Sequence, residues 1–78
     1  MKIVLVKWVD AVTEDHGWRK ITDVKLGKPE KCESVGWLIK QTKEHVILVS
    51  SRGGQDCDGD ITIPIGMIKE IIPLEAKK

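Results

Sequence analysis

The segment from Ile61 to Leu74 (Ile-Thr-Ile-Pro-Ile-Gly-Met-Ile-Lys-Glu-Ile-Ile-Pro-Leu) limits what this chain can fold into more than any other. It reads as strand, tight turn, strand. Ile61, Ile63 and Ile65 alternate with Asp60, Thr62 and Pro64, so the isoleucines point inward and the others outward. Pro64, Gly66 and Met67 mark the corner, and Ile68 to Leu74 forms the next strand. Pro64 cannot donate to a β-ladder, so it belongs on an edge or at a strand end. So short a corner between two apolar strands is expected at the end of a small closed β-barrel.

The remaining chain supplies three more strands. Lys2 to Val12 is the first. Ile3, Leu5 and Val9 lie on one face with Lys7 among them, and Val4, Val6 and Trp8 lie on the other. Both faces are apolar, so a second cover is required beyond the core. Lys31 to Thr42 is the second strand, with Val35, Trp37 and Ile39 on one face and Gly36, Leu38 and Lys40 on the other. Gly36 permits a sharp bend or a close backbone approach. Gln41 to Glu44 reads as a polar hairpin, and His45 to Ser51 as the third strand, apolar on both faces. Arg52 to Asp60 reads as a flexible loop rich in Gly and Asp, leading into the fourth strand at Asp60 to Ile65. Glu75 to Lys78 is a charged tail.

The long connection from Thr13 to Lys31 is polar. Trp18, Ile21 and Val24 recur every third residue and Leu26 follows. That spacing suits a short helix or 3₁₀ turn that lays an apolar stripe on the barrel, with Asp15 as N-cap and Gly27 and Pro29 as the stop. An extended run from Thr22 to Leu26 is the alternative. Together these elements predict one all-β domain over residues 1–78. It is a five-stranded SH3-like or Sm-like barrel with a short helix or turn in its first long connection.

A chain of 78 residues buries only about 60% of its unfolded surface, which leaves a marginal core. Oligomerisation is a natural supplement. Trp8, Trp37, Pro64 and Met67 are the candidate interface residues, since tryptophan anchors interfaces and the corner sits at a strand edge. The opening residues lack the uninterrupted apolar core and small-residue cleavage site of a secretory signal, and no apolar run reaches the ~20 residues of a membrane span. A soluble cytoplasmic protein with reduced thiols at Cys32 and Cys57 is expected.

The charges nearly cancel, 13 Lys+Arg against 12 Asp+Glu, which argues against a dedicated duplex-DNA binder. Arg19 and Arg52 are the only arginines. The run Ser50-Ser51-Arg52-Gly53-Gly54 combines hydroxyls, a guanidinium fork and glycines that let backbone amides approach an anion. A plain glycine turn is the simpler reading. Trp18, beside Lys20 in the connection, either packs on the barrel or stacks a flat ligand. Ser51, Arg52, Trp18 and Lys20 are therefore the candidate ligand contacts.

No catalytic set emerges. His16 and His45 lie far apart, the cysteines lack a C-x-x-C partner, and no cofactor or metal is indicated. Asp56, Asp58 and Asp60 alternate around Gly59, but glycine falls at the fourth position and Met67 at the twelfth, unlike a calcium loop. A solvated acidic hairpin is the better reading, and a weak divalent-ion site the alternative.

Three segments carry a resemblance: the first strand ending Trp8-Val9-Asp10-Ala11, then Ser34-Val35-Gly36-Trp37-Leu38-Ile39, then Ile63-Pro64-Ile65-Gly66-Met67-Ile68 with Ile71 and Leu74. Together they resemble a family of small bacteriophage-encoded proteins of unassigned activity, across about half of the chain. The predicted barrel is also broadly similar to Sm and Hfq proteins, with Gly36 and Leu38 echoing their second strand. This chain has Lys43-Glu44-His45 where the Sm pattern expects aspartate and asparagine, and it opens with a strand rather than a helix. The resemblance implies an oligomer built through exposed strand edges. The expected function is a non-enzymatic, phage-type accessory module, a homo-oligomer that binds a nucleotide-type ligand or single-stranded nucleic acid and could sequester a host nucleotide signal. A module gripping a host or virion protein and a purely structural homo-oligomer are the alternatives.

Overall fold

A computed structural model describes residues 1–11, 17–24 and 27–75. Five strands form one antiparallel sheet: β1 (Ile3–Asp10), β2 (Glu30–Gln41), β3 (His45–Gly53), β4 (Asp56–Pro64) and β5 (Ile68–Leu74). Their spatial order is β4-β3-β2-β1-β5. The fold is all-β as expected, and among the described residues the only helical pieces are two 3₁₀ turns, Ile21–Asp23 and Ile65–Met67.

Each connection has a local cause. Between β2 and β3, the Thr42 amide donates to the His45 carbonyl (2.9 Å), while Thr42 Oγ1 accepts from the amides of Glu44 (3.1 Å) and His45 (3.0 Å). The hydroxyl thus satisfies two amides that a tight turn would leave unpaired. The Ile65–Met67 turn is the corner anticipated from Pro64, Gly66 and Met67. The Ile65 amide reaches back to the Glu44 carbonyl (2.9 Å), which ties this corner to the β2–β3 hairpin.

The core occupies one face of a curled sheet. Val4 and Val6 of β1, Val46 and Leu48 of β3 and Ile63 of β4 are fully buried. Trp8, Leu38, Ile61, Ile65, Met67, Ile68 and Ile71 pack around them. Every strand contributes, so the curl brings β4 and β5 residues onto a common centre. The curl depends on Gly36, whose α-carbon lies against β3, and on a bulge that makes Ile39 an extra residue between Leu38↔Leu48 and Lys40↔Ile47. Bulges bend a strand and increase its local twist.

Four expectations are corrected. Lys40 does not share a face with Gly36 and Leu38: the bulge at Ile39 sets it opposite Ile47, on the face of Trp37. The sheet is not a closed cylinder: no ladder joins β4 to β5, and both remain edges. The stretch from Arg52 to Asp60 is not a flexible loop. β3 and β4 stay paired out to Gly53↔Asp56, leaving a two-residue turn at Gly54-Gln55. Gly54 has φ of 61° and Gln55 does not have positive φ, the arrangement a type II′ hairpin turn requires. In the connection the 3₁₀ turn exists, but its apolar stripe does not lie on the sheet. Trp18 is 105% exposed, Ile21 91% and Val24 54%. Lys20 precedes the turn without a side-chain cap. Asp15, proposed as N-cap, lies outside the described residues, as do Leu26 and His16.

Candidate ligand-binding site

The residues singled out for ligand contact do not form one site. Ser51 and Arg52 sit near the tip of the β3–β4 hairpin, where with Gly53, Asp56, Cys57 and Asp58 they line a shallow depression. Arg52 is also engaged within the chain. Its guanidinium lies 5.4 Å from the centroid of Trp37, and Nη1 donates to Met1 Sδ (3.6 Å). Two carboxylates in the same depression oppose anion binding there. Trp18 and Lys20 do not line it; both are exposed on the connection.

Asp56, Asp58 and Asp60 alternate on β4, an edge strand, and all are exposed. The Asp58 carboxylate accepts the Gly59 amide (2.8 Å). Among the described residues no group of three or more His, Cys, Asp or Glu is arranged to hold a metal ion. Charges along an edge strand deter pairing with another chain. Both cysteines are free.

The better-formed concavity lies at the other end of β1. Trp8 pairs with Cys32, Val9 with Lys31 and Lys7 with Glu33 across the β1–β2 ladder. On the other side of β1, Lys7 pairs with Glu70 and Trp8 with Ile68, so Lys69 is an extra, bulged residue. Bulges re-aim side chains and recur next to binding sites. Together these residues enclose a cavity of about 460 Å³ with Trp8, Val9 and Cys32 as its apolar part and Lys7, Lys31 and Lys69 as its cations. Among the described residues Glu33 is its single carboxylate. An adjoining concavity of about 400 Å³ shares Val9 and Lys69 and runs on to Pro29, Gly66 and Met67. The indole of Trp8 is held in place: Nε1 donates to Ser34 Oγ at 3.0 Å.

Two predicted interface residues, Trp8 and Met67, therefore belong to the core and this groove. Pro64 is exposed at the end of β4, opposite His45. Trp37 lies on the outer face of the sheet, between Ile3 and Val49. The three groove lysines are not among the residues that the sequence singles out. They are scattered along the chain and converge only through the strand register and the bulge at Lys69.

No family model matches the chain, and no curated protein or solved structure shows significant similarity to it.

Proposed function

We propose that the chain is a non-enzymatic binding module that takes a nucleotide-type ligand, or a short single strand, in the groove between β1, β2 and the start of β5. The groove's composition carries this reading: among the described residues it is lined by an anchored indole from the core face of β1, by Lys7, Lys31 and one carboxylate, Glu33, from the opposite face, and by Lys69 at the bulge. Ligand pockets of 300–1,000 Å³ are mostly apolar with a few placed polar groups, and this one falls in that range. A base stacked on an aromatic ring contributes about 1–3 kcal/mol. Lysine ammonium groups serve phosphates as point charges. The curled sheet with its 3₁₀ corner is compatible with an SH3-like or Sm-like barrel acting as a homo-oligomer. In this reading the protein works in the host cytoplasm as a phage-type accessory that withholds a nucleotide signal.

Thermal unfolding against a panel of nucleotides and oligonucleotides tests the proposal. A ligand at about 100 times its Kd stabilises by about 2.7 kcal/mol. For a domain of this size that raises Tm by roughly 10 °C or more. Lys69→Glu and Lys31→Glu should abolish the shift, and added salt should weaken it. No shift with any member of the panel removes the reading.

A second reading, a module that grips a host or virion protein, draws on the apolar outer face of the sheet. A stoichiometric partner that survives nuclease and high salt in a pull-down would favour it.

A further inference from the structure

Cross-strand partners share a face of a sheet, so the register identifies what lies on the side opposite the core. One row reads Leu74–Ile3–Trp37–Val49 and the next Ile72–Leu5–Val35. Val35 is 58% exposed, Leu74 41% and Ile3 39%. Val49 is buried yet stands apart from the main core cluster. The third row is charged: Glu70–Lys7–Glu33. Trp18, Ile21 and Val24, the apolar residues in the described part of the connection, are themselves exposed and are not buried against this face.

We infer that this outer face is the contact between two copies of the chain, stacked sheet on sheet about a twofold axis parallel to the strands. This specifies the assembly in the proposed function; Lys7 and Glu33 belong both to this face and to the rim of the groove, so the two readings are told apart at Val35, which lies outside the groove. Three observations select a second copy. First, Val35, Leu74 and Ile3 leave an exposed apolar patch on this face, bordered by the charged row, as an interface with an apolar centre and a polar rim requires.

Second, the sheet edges are poor sites for association. β4 carries Asp56, Asp58, Asp60 and Pro64, and β5 carries Pro73 and the bulge at Lys69. Charges, prolines and bulges are devices that block edge-to-edge pairing. Association is thereby directed to the face.

Third, the charged row complements itself. A twofold contact requires that if residue i meets j, then j meets i. With the axis running between β1 and β2, Lys7 lies over the partner's Glu33, Leu5 over the partner's Val35 and Ile3 over the partner's Trp37. The same operation pairs Glu33 with the partner's Lys7. A row of a single sign would repel its own copy in this arrangement.

Sedimentation or light scattering of the ligand-free protein, at micromolar and higher concentration, tests the inference. The wild type should have twice the mass of the chain. Val35→Glu, at an exposed position outside the groove, should give a monomer with an unchanged β-sheet circular dichroism spectrum. Lys7→Glu should weaken the dimer, and adding Glu33→Lys should restore it; this pair decides the matter if Val35→Glu does not fold. A monomeric wild type, or a mass that Val35→Glu leaves unchanged, overturns the inference. The groove is judged separately by Tm: a monomer whose Tm still rises with nucleotide refutes the dimer face and leaves the groove reading standing.

Discussion

The α-carbon of Gly36 lies against the carbonyl of Val49, so close that a Cβ at Gly36 would stand 2.6 Å from that oxygen and 3.3 Å from Leu48 Cβ. Both obstacles belong to β3, and the nearer is backbone that cannot rotate away. The bend of β2 over β3, and with it the curl around Val46 and Leu48, therefore requires a residue without a side chain at this point. Gly36→Ala should destabilise the fold by about 1–3 kcal/mol, the range for overpacking, and Gly36→Val by more. Urea unfolding monitored by circular dichroism measures both; an alanine variant as stable as wild type would show that β3 yields easily.

Gly59 carries two independent constraints. Its φ is +69°, and a Cβ there would collide with the hydroxyl of Ser50 directly across the hairpin. Gly59→Ala should cost roughly 1–2 kcal/mol for the left-handed backbone, plus the steric conflict. Ser50→Ala removes the obstructing oxygen and a 3.3 Å bond to the Asp58 carbonyl. In the Ser50→Ala background the cost of Gly59→Ala should fall, leaving the backbone part and the 3.3 Å approach to the Cβ of residue 50. A double-mutant cycle reads that coupling, and strict additivity would mean that the two residues do not meet.

The indole N–H of Trp8 is partly buried and spends its hydrogen bond on Ser34. Ser34→Ala strands that donor and should cost about 1–3 kcal/mol. It should also free the ring, which a change in tryptophan emission would report, and weaken the nucleotide response of the groove. Ser34→Thr keeps a hydroxyl and should retain most of the stability.

Ile63 and Thr62 are neighbours on β4 with opposite fates: Ile63 is 1% exposed at the centre of the core, whereas Thr62 faces solvent. Ile63→Ala should cost about 2–5 kcal/mol through a cavity. Thr62→Ala should stay within about 0.5 kcal/mol. Equal effects in chemical denaturation would contradict the assigned face of β4.

Arg52 distinguishes the two candidate sites. Arg52→Ala removes the guanidinium from the face of Trp37 and should cost about 0.5–1 kcal/mol. If the groove at Trp8 is the binding site, the nucleotide-induced Tm shift should persist in this variant and vanish in Lys69→Glu. The reverse pattern would return the site to the hairpin tip.

Much of the architecture is legible in local chemistry. The alternation Ile61, Ile63, Ile65, the corner at Pro64 to Met67 and the polar turn after Gln41 are each set by residues close in sequence. The hairpin tip is not legible in this way. Arg52 to Asp60 is polar and glycine-rich, and local propensity alone cannot distinguish a mobile loop from two solvated strands paired across Gly54-Gln55. The connection misleads for the opposite reason. The spacing of Trp18, Ile21 and Val24 reveals a turn, but it carries no information on whether a surface waits to receive its stripe.

The candidate site belongs to the second class. Trp8 stands out in the sequence, but its lysine neighbours come from three strands and from a one-residue bulge in β5. Period-two patterning shows which residues share a face within one strand. It does not show which residue stands opposite on the next strand, since shifting the register changes every cross-strand pair. The apolar cores of the strands and their inward faces were thus settled by local sequence, whereas the paired hairpin tip and the face of Lys40 beyond the bulge at Ile39 were not. Closure, the groove and the composition of the outer face were settled by register, bulges and curl, which depend on contacts between residues distant along the chain.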